Sequence, residues 1–380
     1  MVEIREVKTK KELKTFVSFA NELYENYPAY VPILIGDELD MFNPKKNGAY
    51  EWSDVRCFLA IQNDRVVGRV GLIHNRKYIE KTGKHQLRIT RFDFIDDLEV
   101  SKALIDVAIQ WAKELGCNEL IGPIGFSDMD KEGMLIEGFD ELSMYINIYN
   151  DAYYIRHMEA MGFEKECDWV EYKITIPEKI DPRIERIAEH SIQKFGYKIV
   201  KFKHVRDAYP EIYKGLDIMN EVYGKLYGYT QLSLRQQKEF LNNFKWILNK
   251  EYLFAIHTAE DELIGYGFYA PSLSHIMKEK AKGHLTIPAA LALLKNKSTD
   301  ENDTVDLYSI GVRPEYMSKG VNAIILNEGI KACIKNHVKY AETGPCLETN
   351  KEIRAQWALF ENCQHKRRRC WILRFEKKKA

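Results

Sequence analysis

The sequence predicts an α+β protein of two tandem domains, each with a mixed, mostly antiparallel central sheet flanked by helices. Three observations predict this fold. The same order of helices and strands occurs twice, two prolines interrupt the chain near its middle, and 380 residues with 45% hydrophobic content can bury two cores. We place the first domain at residues 1–178 and the second at residues 179–380.

The repeat begins with a strand, a polar turn and a second strand at residues 58–73, and this unit recurs at residues 253–270. A helix and a strand that ends in Gly-Pro follow at 103–123 and again at 323–345. Each half then closes with a helix and a strand. These are 150–161 with 169–176 in the first half, and 350–362 with 370–375 in the second. Such a repeat predicts a duplicated structural unit.

The remaining elements complete this order. Apolar residues at helical spacing predict an opening helix from Lys10 to Tyr24. Its counterparts in the second half are predicted helices from Glu211 to Val222 and from Arg235 to Lys250. Pro177 and Pro182 mark the boundary because proline breaks a strand. A helix over 183–195 and a strand over 197–202 then open the second domain.

Composition excludes several classes of function. The 56 basic and 56 acidic side chains balance, so no overall field draws the chain to nucleic acid or anionic lipid. Seven irregularly spaced cysteines form no paired framework, as is typical of a reducing compartment. There is no apolar signal core and no apolar run long enough to span a membrane. We therefore expect a cytoplasmic protein without a membrane partner, in which any binding of nucleic acid must come from a local patch.

The most informative segment is residues 305–326, which is typical of a strand, a glycine-bearing turn and the start of a helix. Backbone N–H groups at a helix N-terminus bind phosphate, and a glycine lets a ligand approach the backbone closely. Lys319 adds positive charge. The alternative is an ordinary connection between a strand and a helix.

This segment resembles the acyl-CoA-binding motif of the GNAT superfamily of acetyltransferases. Val312, Gly320 and the run Pro314-Glu315-Tyr316 fall in register with that motif, whereas Met317 and Asn322 depart from it. Most of the chain is similar to a family of tandem GNAT-like proteins without an assigned substrate. The resemblance implies two GNAT-like domains, with acetyl-CoA as co-substrate in the second. The implied cofactor-binding residues are Ile310, Val312, Met317, Ser318, Lys319, Gly320, Val321 and Asn322.

The resemblance also implies the chemistry, which is acyl transfer from a CoA thioester to an amine of a small molecule or peptide, without a metal. Asp306 is the implied general base, and Tyr308 lies two residues further on the same strand face as a polar neighbour or proton donor. The alternative for Asp306 is a solvated carboxylate at a strand end. Asn350 has two interpretations, cofactor contact or helix N-cap. No tyrosine follows in its helix, so the usual hydroxyl donor is missing there.

The first half differs at the equivalent turn, which has no glycine and carries Asp96, Asp97 and Glu99. These carboxylates would repel a pyrophosphate, and Asp97 is expected to be a helix N-cap. We therefore expect the first half to supply structure and one side of the acceptor pocket. A loop at residues 125–140 with five carboxylates is either a wall of that pocket or a solvated connection.

The densest basic run, residues 365–369, allows three interpretations. It is solvated or paired within the chain, it binds a CoA or substrate phosphate, or it binds RNA. Cys363, His365 and Cys370 are too few and too irregular to indicate zinc. Two alternative functions follow, which are a Fem-type aminoacyl-tRNA-dependent transferase and a catalytically inactive CoA-binding module.

Overall fold

A computed structural model describes residues 1–295 and 302–375, and their fourteen strands join one continuous sheet. The strands are β1 Glu3–Glu6, β2 Ser53–Gln62, β3 Arg65–Asn75, β4 Gln86–Phe94, β5 Glu119–Gly122, β6 Met134–Glu137, β7 Glu164–Thr175, β8 Lys198–Val200, β9 Leu253–His257, β10 Leu263–Pro271, β11 Thr304–Val312, β12 Tyr340–Thr343, β13 Cys346–Leu347 and β14 Asn362–Arg374.

Helices cover both faces of this sheet. They are α1 Lys10–Leu23, α2 Ile35–Met41, α3 Arg76–Thr82, α4 Leu98–Glu114, α5 Tyr153–Ala160, α6 Pro182–Phe195, α7 Tyr209–Val222, α8 Leu234–Phe244, α9 Ser274–Ile276, α10 Ile287–Leu294, α11 Val321–Lys335 and α12 Lys351–Trp357. Within the described residues, none of these helices combines the length and apolar character needed to cross a membrane.

Local sequence signals account for several helix ends. Thr9 and Glu12 form a capping box at the start of α1. α6 begins with Pro182 after the N-cap Asp181, and it ends at Gly196 in the left-handed conformation. Ser233 starts α8 with a second capping box. The predicted helices over 10–24 and 183–195 are therefore confirmed within a residue, whereas α8 ends at Phe244 rather than Lys250.

The two halves exchange their last strands. The order through the sheet is β1-β2-β3-β4-β5-β14-β7-β12-β11-β10-β9-β8, so β14 of the second half lies between β5 and β7 of the first. β7 in turn lies between β14 and β12. The sheet order within each half is the predicted α+β repeat, but each half is completed by a strand from the other. The domain boundary at 178 remains a prediction.

Loops also cross between the halves. The segment 227–231 of the second half lies on the first, where Arg88 donates to the Gly228 carbonyl at 3.0 Å and Lys81 donates to the Tyr229 carbonyl at 3.0 Å. In the opposite direction, the amide of Ile35 donates to the Gly283 carbonyl at 2.9 Å. These contacts fix the first half against the helices and strands that surround β11.

Candidate active site

The candidate site is built around β11, where two neighbouring parallel strands separate. β11 pairs with β12 from Thr304 to Leu307, and no pairing with β12 continues along the remainder of β11. The backbone of Ser309 to Val312 therefore has no strand partner on that side, although the Ile310 carbonyl accepts from the Tyr223 hydroxyl at 3.2 Å. A gap of this kind exposes peptide N–H and C=O groups that an extended ligand can bind.

A β-bulge at Tyr308 reorients the side chains of β11. Phe268 of β10 pairs with Ser309, but the next residue, Tyr269, pairs with Leu307, which leaves Tyr308 as the extra residue. A bulge places two successive side chains on the same face. Tyr308 and Ser309 consequently both face α7 and α8, and Ile310 packs on the other face against α11.

Asp306 is completely buried at the start of this face. Burial, followed by the negative charge of the neighbouring Glu342, raises the pKa of Asp306 to about 8. Ser272 and the amide of Leu273 lie close and oppose this rise, but within the described residues neither carboxylate oxygen has a partner in hydrogen-bond geometry. The solvated alternative for Asp306 is wrong. A buried carboxyl with this pKa can accept a proton near neutral pH.

Tyr308 lies on the same face as Asp306, as predicted. Its ring stacks on Phe268 with centroids 5.0 Å apart and meets Phe244 of α8 edge-on at 6.2 Å. Burial, and then the charge of Asp306, raise the pKa of Tyr308 well above its ordinary value. Its buried hydroxyl has no hydrogen-bond partner among the described residues. The nearby Asp306 carboxyl is the group toward which this hydroxyl can donate, so Tyr308 stays protonated beside it.

Three hydroxyl groups meet at the bulge. Ser309 Oγ lies 2.8 Å from the Tyr266 hydroxyl and 3.1 Å from the Tyr223 hydroxyl. The Tyr223 hydroxyl also donates to the carbonyl of Ile310 at 3.2 Å. Burial raises the pKa of Tyr223 and raises that of Tyr266 more strongly. This cluster lies on the face of β11 that α7 covers, level with the part of the strand that does not pair with β12.

Sequence reasoning missed the three hydroxyl residues. Ser309 was missed because strict alternation assigns it to the face opposite Tyr308, and a bulge is not visible in the sequence pattern. Tyr223 belongs to the tyrosine- and glycine-rich run Tyr223-Gly-Lys-Leu-Tyr-Gly-Tyr229, whose composition is a signal that could have been used. Tyr266 follows a hairpin glycine and carries no comparable signal.

The turn between β11 and α11 comprises eight residues, 313–320. Met317 is 41% exposed, Ser318 and Lys319 are also exposed, and the Lys319 ammonium lies 5.0 Å from the Tyr316 ring centroid. Gly320 has φ of +80°, and no described side chain caps α11. The first N–H groups of this helix have no acceptor within the helix itself, so they remain available to an anion.

The structure adds a steric reason for glycine at position 320 to the predicted one. A Cβ at this position would lie 1.9 Å from Ser191 Oγ of α6. The missing side chain therefore makes room for α6, and the expectation that it also lets a phosphate approach the backbone stays a prediction. The positive φ is a second requirement for glycine, because other residues adopt it only with strain.

The other predicted cofactor residues occupy mixed positions. Val312 and Val321 are buried in the core under α11, so they can offer only backbone groups. The Asn322 side chain donates to Gln356 Oε1 at 2.7 Å and connects α11 to α12. Asn350 is the N-cap of α12 and accepts from the amide of Ile353 at 3.2 Å, which confirms the capping interpretation.

The first half lacks an equivalent turn. Only residues 95–97 connect β4 to α4, three residues in place of eight. Asp97 is the N-cap of α4 and accepts from the amide of Glu99 at 2.9 Å, as predicted. Asp96 contacts Arg156 at 2.6 Å and His157 at 2.8 Å. Carboxylates therefore occupy the helix N-terminus that a phosphate would need.

The strand of the first half that corresponds to β11 is filled by ion pairs. Arg91 is buried in β4 with φ of +44°, and it contacts Glu38 at 2.9 Å and Asp130 at 3.0 Å. Arg69 of the neighbouring strand β3 pairs with Asp93 of β4 at 2.7 Å. These buried pairs leave few free polar groups for a ligand.

The carboxylates of the acidic loop occupy different environments. Asp130 belongs to the Arg91 pair, Glu132 is buried, and β6 runs through the loop. Asp128 lies at the contact between the halves, beside Tyr223 and Gly228. Burial raises the pKa of Asp128 to about 7. Asp128 is therefore the carboxylate of the first half that approaches the hydroxyl cluster.

The basic run lies inside β14 and pairs within the chain. Lys366 is fully buried in contact with Glu342 and 3.9 Å from Glu171, and Arg368 is fully buried in contact with Glu171. Burial alone would raise the pKa of Glu342, but His365 and Lys366 outweigh it and lower that pKa to about 2. The RNA and CoA-phosphate interpretations therefore fail for Lys366 and Arg368.

The two other arginines of the run are also paired. Arg367 contacts Asp168 at 3.1 Å and Glu348 at 3.0 Å, and Arg369 contacts Asp168 at 2.8 Å. This removes the patch on which the aminoacyl-tRNA-dependent alternative relied. Cys363 and Cys370 lie seven residues apart on the same strand, about 20 Å, which is too far for one zinc ion.

One group of potential metal ligands occurs in the described residues, formed by Glu171, Glu342 and His365. The ammonium group of Lys366 already lies between the two carboxylates. A cation is thus supplied by the chain itself, and this group is a buried ion-pair network. All seven cysteines are free.

Known proteins share sequence similarity with parts of this chain. A scan against protein-family models matched none. Protein YghO of Escherichia coli is 28% identical over 43% of this chain and 42% of its own length, so the match spans less than half of that relative. The bacterial ceramide synthase of Caulobacter vibrioides is 22% identical over 73% of this chain and 72% of its own.

Among solved structures, a tandem GNAT protein from the clavulanic acid biosynthesis pathway superposes with a TM-score of 0.55. It is 13% identical, and the alignment covers 98% of both chains. This near-complete coverage by a tandem GNAT protein confirms the predicted fold class, a mixed sheet flanked by helices. The chain has the tandem GNAT fold.

Proposed function

We propose that the protein is an acyl-CoA-dependent N-acyltransferase whose working site lies in the second half. The observation that carries this proposal is the eight-residue turn 313–320, which leads into the uncapped α11 beside the gap between β11 and β12. The first half has a three-residue connection with a carboxylate cap at the same place. The contrast supports one cofactor site in the chain.

The residues present fit CoA in two respects. The exposed backbone of Ser318 and Lys319 and the first turn of α11 offer N–H donors and a positive charge for a diphosphate. The unpaired part of β11 offers peptide groups for an extended amide-bearing arm. CoA would supply an acyl group activated as a thioester. Acetyl is the simplest acyl group, and the acceptor is an amine of a small molecule or peptide.

Each proton-transfer role is assigned to a particular residue of the chain. Asp306, with its raised pKa, is the proposed proton acceptor, and the hydroxyl of the bulge residue Tyr308 lies near its carboxyl. The hydroxyls of Tyr223 and Tyr266 orient Ser309 at the gap. Asp128 is a second proposed acceptor from the first half, since its pKa is also raised, to about 7.

The names of relatives are compatible with this chemistry. A ceramide is an N-acyl amide, so the name of the Caulobacter relative is consistent with amide formation. We extend to this chain only the general reaction, transfer of an acyl group to an amine. We also keep the cytoplasmic location as part of the proposal.

A second candidate is a CoA-binding module without catalysis. The missing tyrosine in α12 favours it, because Lys351–Trp357 carries no hydroxyl donor. The deciding experiment incubates acetyl-CoA with a panel of primary amines and measures release of free thiol. Thiol release that depends on both the amine and Asp306 supports the enzyme. CoA binding without thiol release for any amine supports the module.

A further inference from the structure

A cavity lies between helices α7 and α8 and the sheet face formed by β9 and β10. About 60 Å³ of it admits the centre of a water-sized sphere, and the surrounding empty space, about 640 Å³, includes open solvent. Leu216 and Met219 of α7, Leu241 and Phe244 of α8, and Phe268 of β10 contribute to its walls. The enclosed part of the cavity is therefore narrow.

The walls are apolar almost throughout. The polar side chains at the cavity are Glu211 at one end and the hydroxyls of Ser309 and Tyr266 at the other. Glu211 is held by His257 at 2.7 Å and by Lys214 at 2.8 Å. A water molecule in an apolar space of this kind finds few hydrogen-bond partners, so the space favours apolar ligands.

The cavity is elongated along α7. Its lining follows this helix from Ala208 to Met219, eleven residues or about 16 Å of helix, and Glu211 lies toward one end of that stretch. Ser309 lies toward the other end, because Tyr223, which directly follows α7, contacts it. An elongated, apolar space suits an extended hydrocarbon chain.

One end of the cavity coincides with the proposed reaction point. Ser309 lines the cavity and at the same time contacts Tyr223 beside the gap between β11 and β12. A chain that occupies the cavity would therefore present its polar head group to the hydroxyl cluster. The bulge at Tyr308 is what turns Ser309 toward this space.

We propose that this cavity binds the alkyl chain of a reactant, so that the substrate class is a long-chain amphiphile. This inference rests on the proposed function, because it assigns the head group to the acyl-transfer site. A peptide segment fits poorly, since its buried N–H and C=O groups would find few partners on these walls and each unpaired group is costly. The chain belongs either to the acyl group or to the amine.

The test is calorimetric titration of the full-length protein with saturated fatty acids and with primary alkylamines of six to twelve carbons. We expect the affinity to rise about fourfold per added methylene until the cavity is filled, which corresponds to about 0.8 kcal/mol per buried CH₂. An affinity independent of chain length overturns the proposal.

Matched variants locate the binding. Leu241 lines the cavity and is 6% exposed, whereas Leu234, on the same helix, is 75% exposed and lies outside it. Leu241→Trp should reduce chain binding at least tenfold, and Leu234→Trp should leave it unchanged. Leu216→Phe is a milder filling variant, and circular dichroism checks the fold of each. Equal binding by Leu241→Trp, Leu216→Phe and the native protein overturns the proposal.

A titration with acyl-CoA thioesters of increasing chain length distinguishes the two sources of the chain. If the acyl chain occupies the cavity, affinity rises with acyl length and Leu241→Trp abolishes the rise. If the amine chain occupies it, Leu241→Trp weakens alkylamine binding and leaves acyl-CoA binding unchanged. Chain binding without any CoA binding contradicts the proposed function but supports the cavity. CoA binding without chain binding supports the proposed function and overturns the cavity proposal.

Discussion

The hydroxyl oxygen of Tyr223 lies 3.1 Å from Ser309 Oγ, at the bulge of β11. Tyr223 comes from the segment after α7, and Ser309 comes from the central strand, so the contact joins the acceptor side of the site to the cofactor side. The same tyrosine donates to the Ile310 carbonyl at 3.2 Å. Tyr223 therefore holds both the side chain of Ser309 and the backbone of Ile310.

Removing this hydroxyl should impair catalysis more than binding. We expect Tyr223→Phe to lower kcat about tenfold or more, because Ser309 loses a partner that orients it, while KM for the acyl-CoA changes little. Tyr227→Phe is the matched control, since Tyr227 lies in the same segment, its hydroxyl lies 3.7 Å from Cys370 Sγ and its ring meets Trp169 edge-on at 6.2 Å. Steady-state kinetics decides the matter. Equal effects of the two substitutions would argue against a role for Tyr223.

The pH dependence of the rate tests Asp306 as the base. Because its pKa is raised to about 8, the deprotonated form grows about tenfold per pH unit below pH 8. We expect kcat/KM to rise along this slope and to level above pH 8, measured with an amine whose own protonation is known. Asp306→Asn should remove the component assigned to Asp306. A native profile that Asp306→Asn leaves unaltered would contradict the assignment.

The same carboxyl affects stability with a definite sign. Its folded pKa of about 8 exceeds its ordinary value of 3.8, so its contribution is fully favourable below pH 4 and is lost as pH rises through 8. Relative to Asp306→Asn, the native free energy of unfolding should fall by up to about 1.4 kcal/mol per pH unit in this window. Urea denaturation between pH 4 and 8 measures it. A parallel dependence in the two proteins would show that Asp306 is not buried as described.

The exchanged strand β14 should couple the stability of the two halves. Arg368→Met leaves Glu171 as a buried charge without its arginine partner and should cost about 3–5 kcal/mol. Arg374→Met, on the same strand, removes a side chain that is 55% exposed and should cost less than about 1 kcal/mol. Arg368→Met should lower the Tm of both halves together, which a thermal unfolding experiment measures. Two separate transitions, only one of them shifted, would contradict the coupling.

The sequence predicts well what depends on local pattern. The hairpin β2–β3, the helix α1 and the Asp97 cap all follow from residues close together in the chain. The exchange of β14 could not be predicted, because β7 is separated from it by about half of the chain and β5 by more than half. The alternation of apolar and polar residues shows that a segment is a strand. It does not show whether that strand pairs within its own half or with the other half.

The candidate site shows the same limit. Asp306 and Tyr308 are correctly placed on one face because their spacing of two residues is local. Ser309 is misplaced because a single extra residue in β11 shifts the alternation. The steric reason for Gly320 was missed because Ser191 approaches it from a distant helix. Burial of the basic run in β14 likewise depends on acidic partners far along the chain.

The most direct test of the central claim is calorimetric titration of the full-length protein with acetyl-CoA. We expect one site per chain, weakened about tenfold by Lys319→Glu, since reversing one charge beside phosphates is worth about 1.4 kcal/mol. Lys102→Glu makes the same change near the corresponding helix of the first half and should leave the affinity unchanged. No binding, or binding weakened by Lys102→Glu and not by Lys319→Glu, would contradict a cofactor site in the second half.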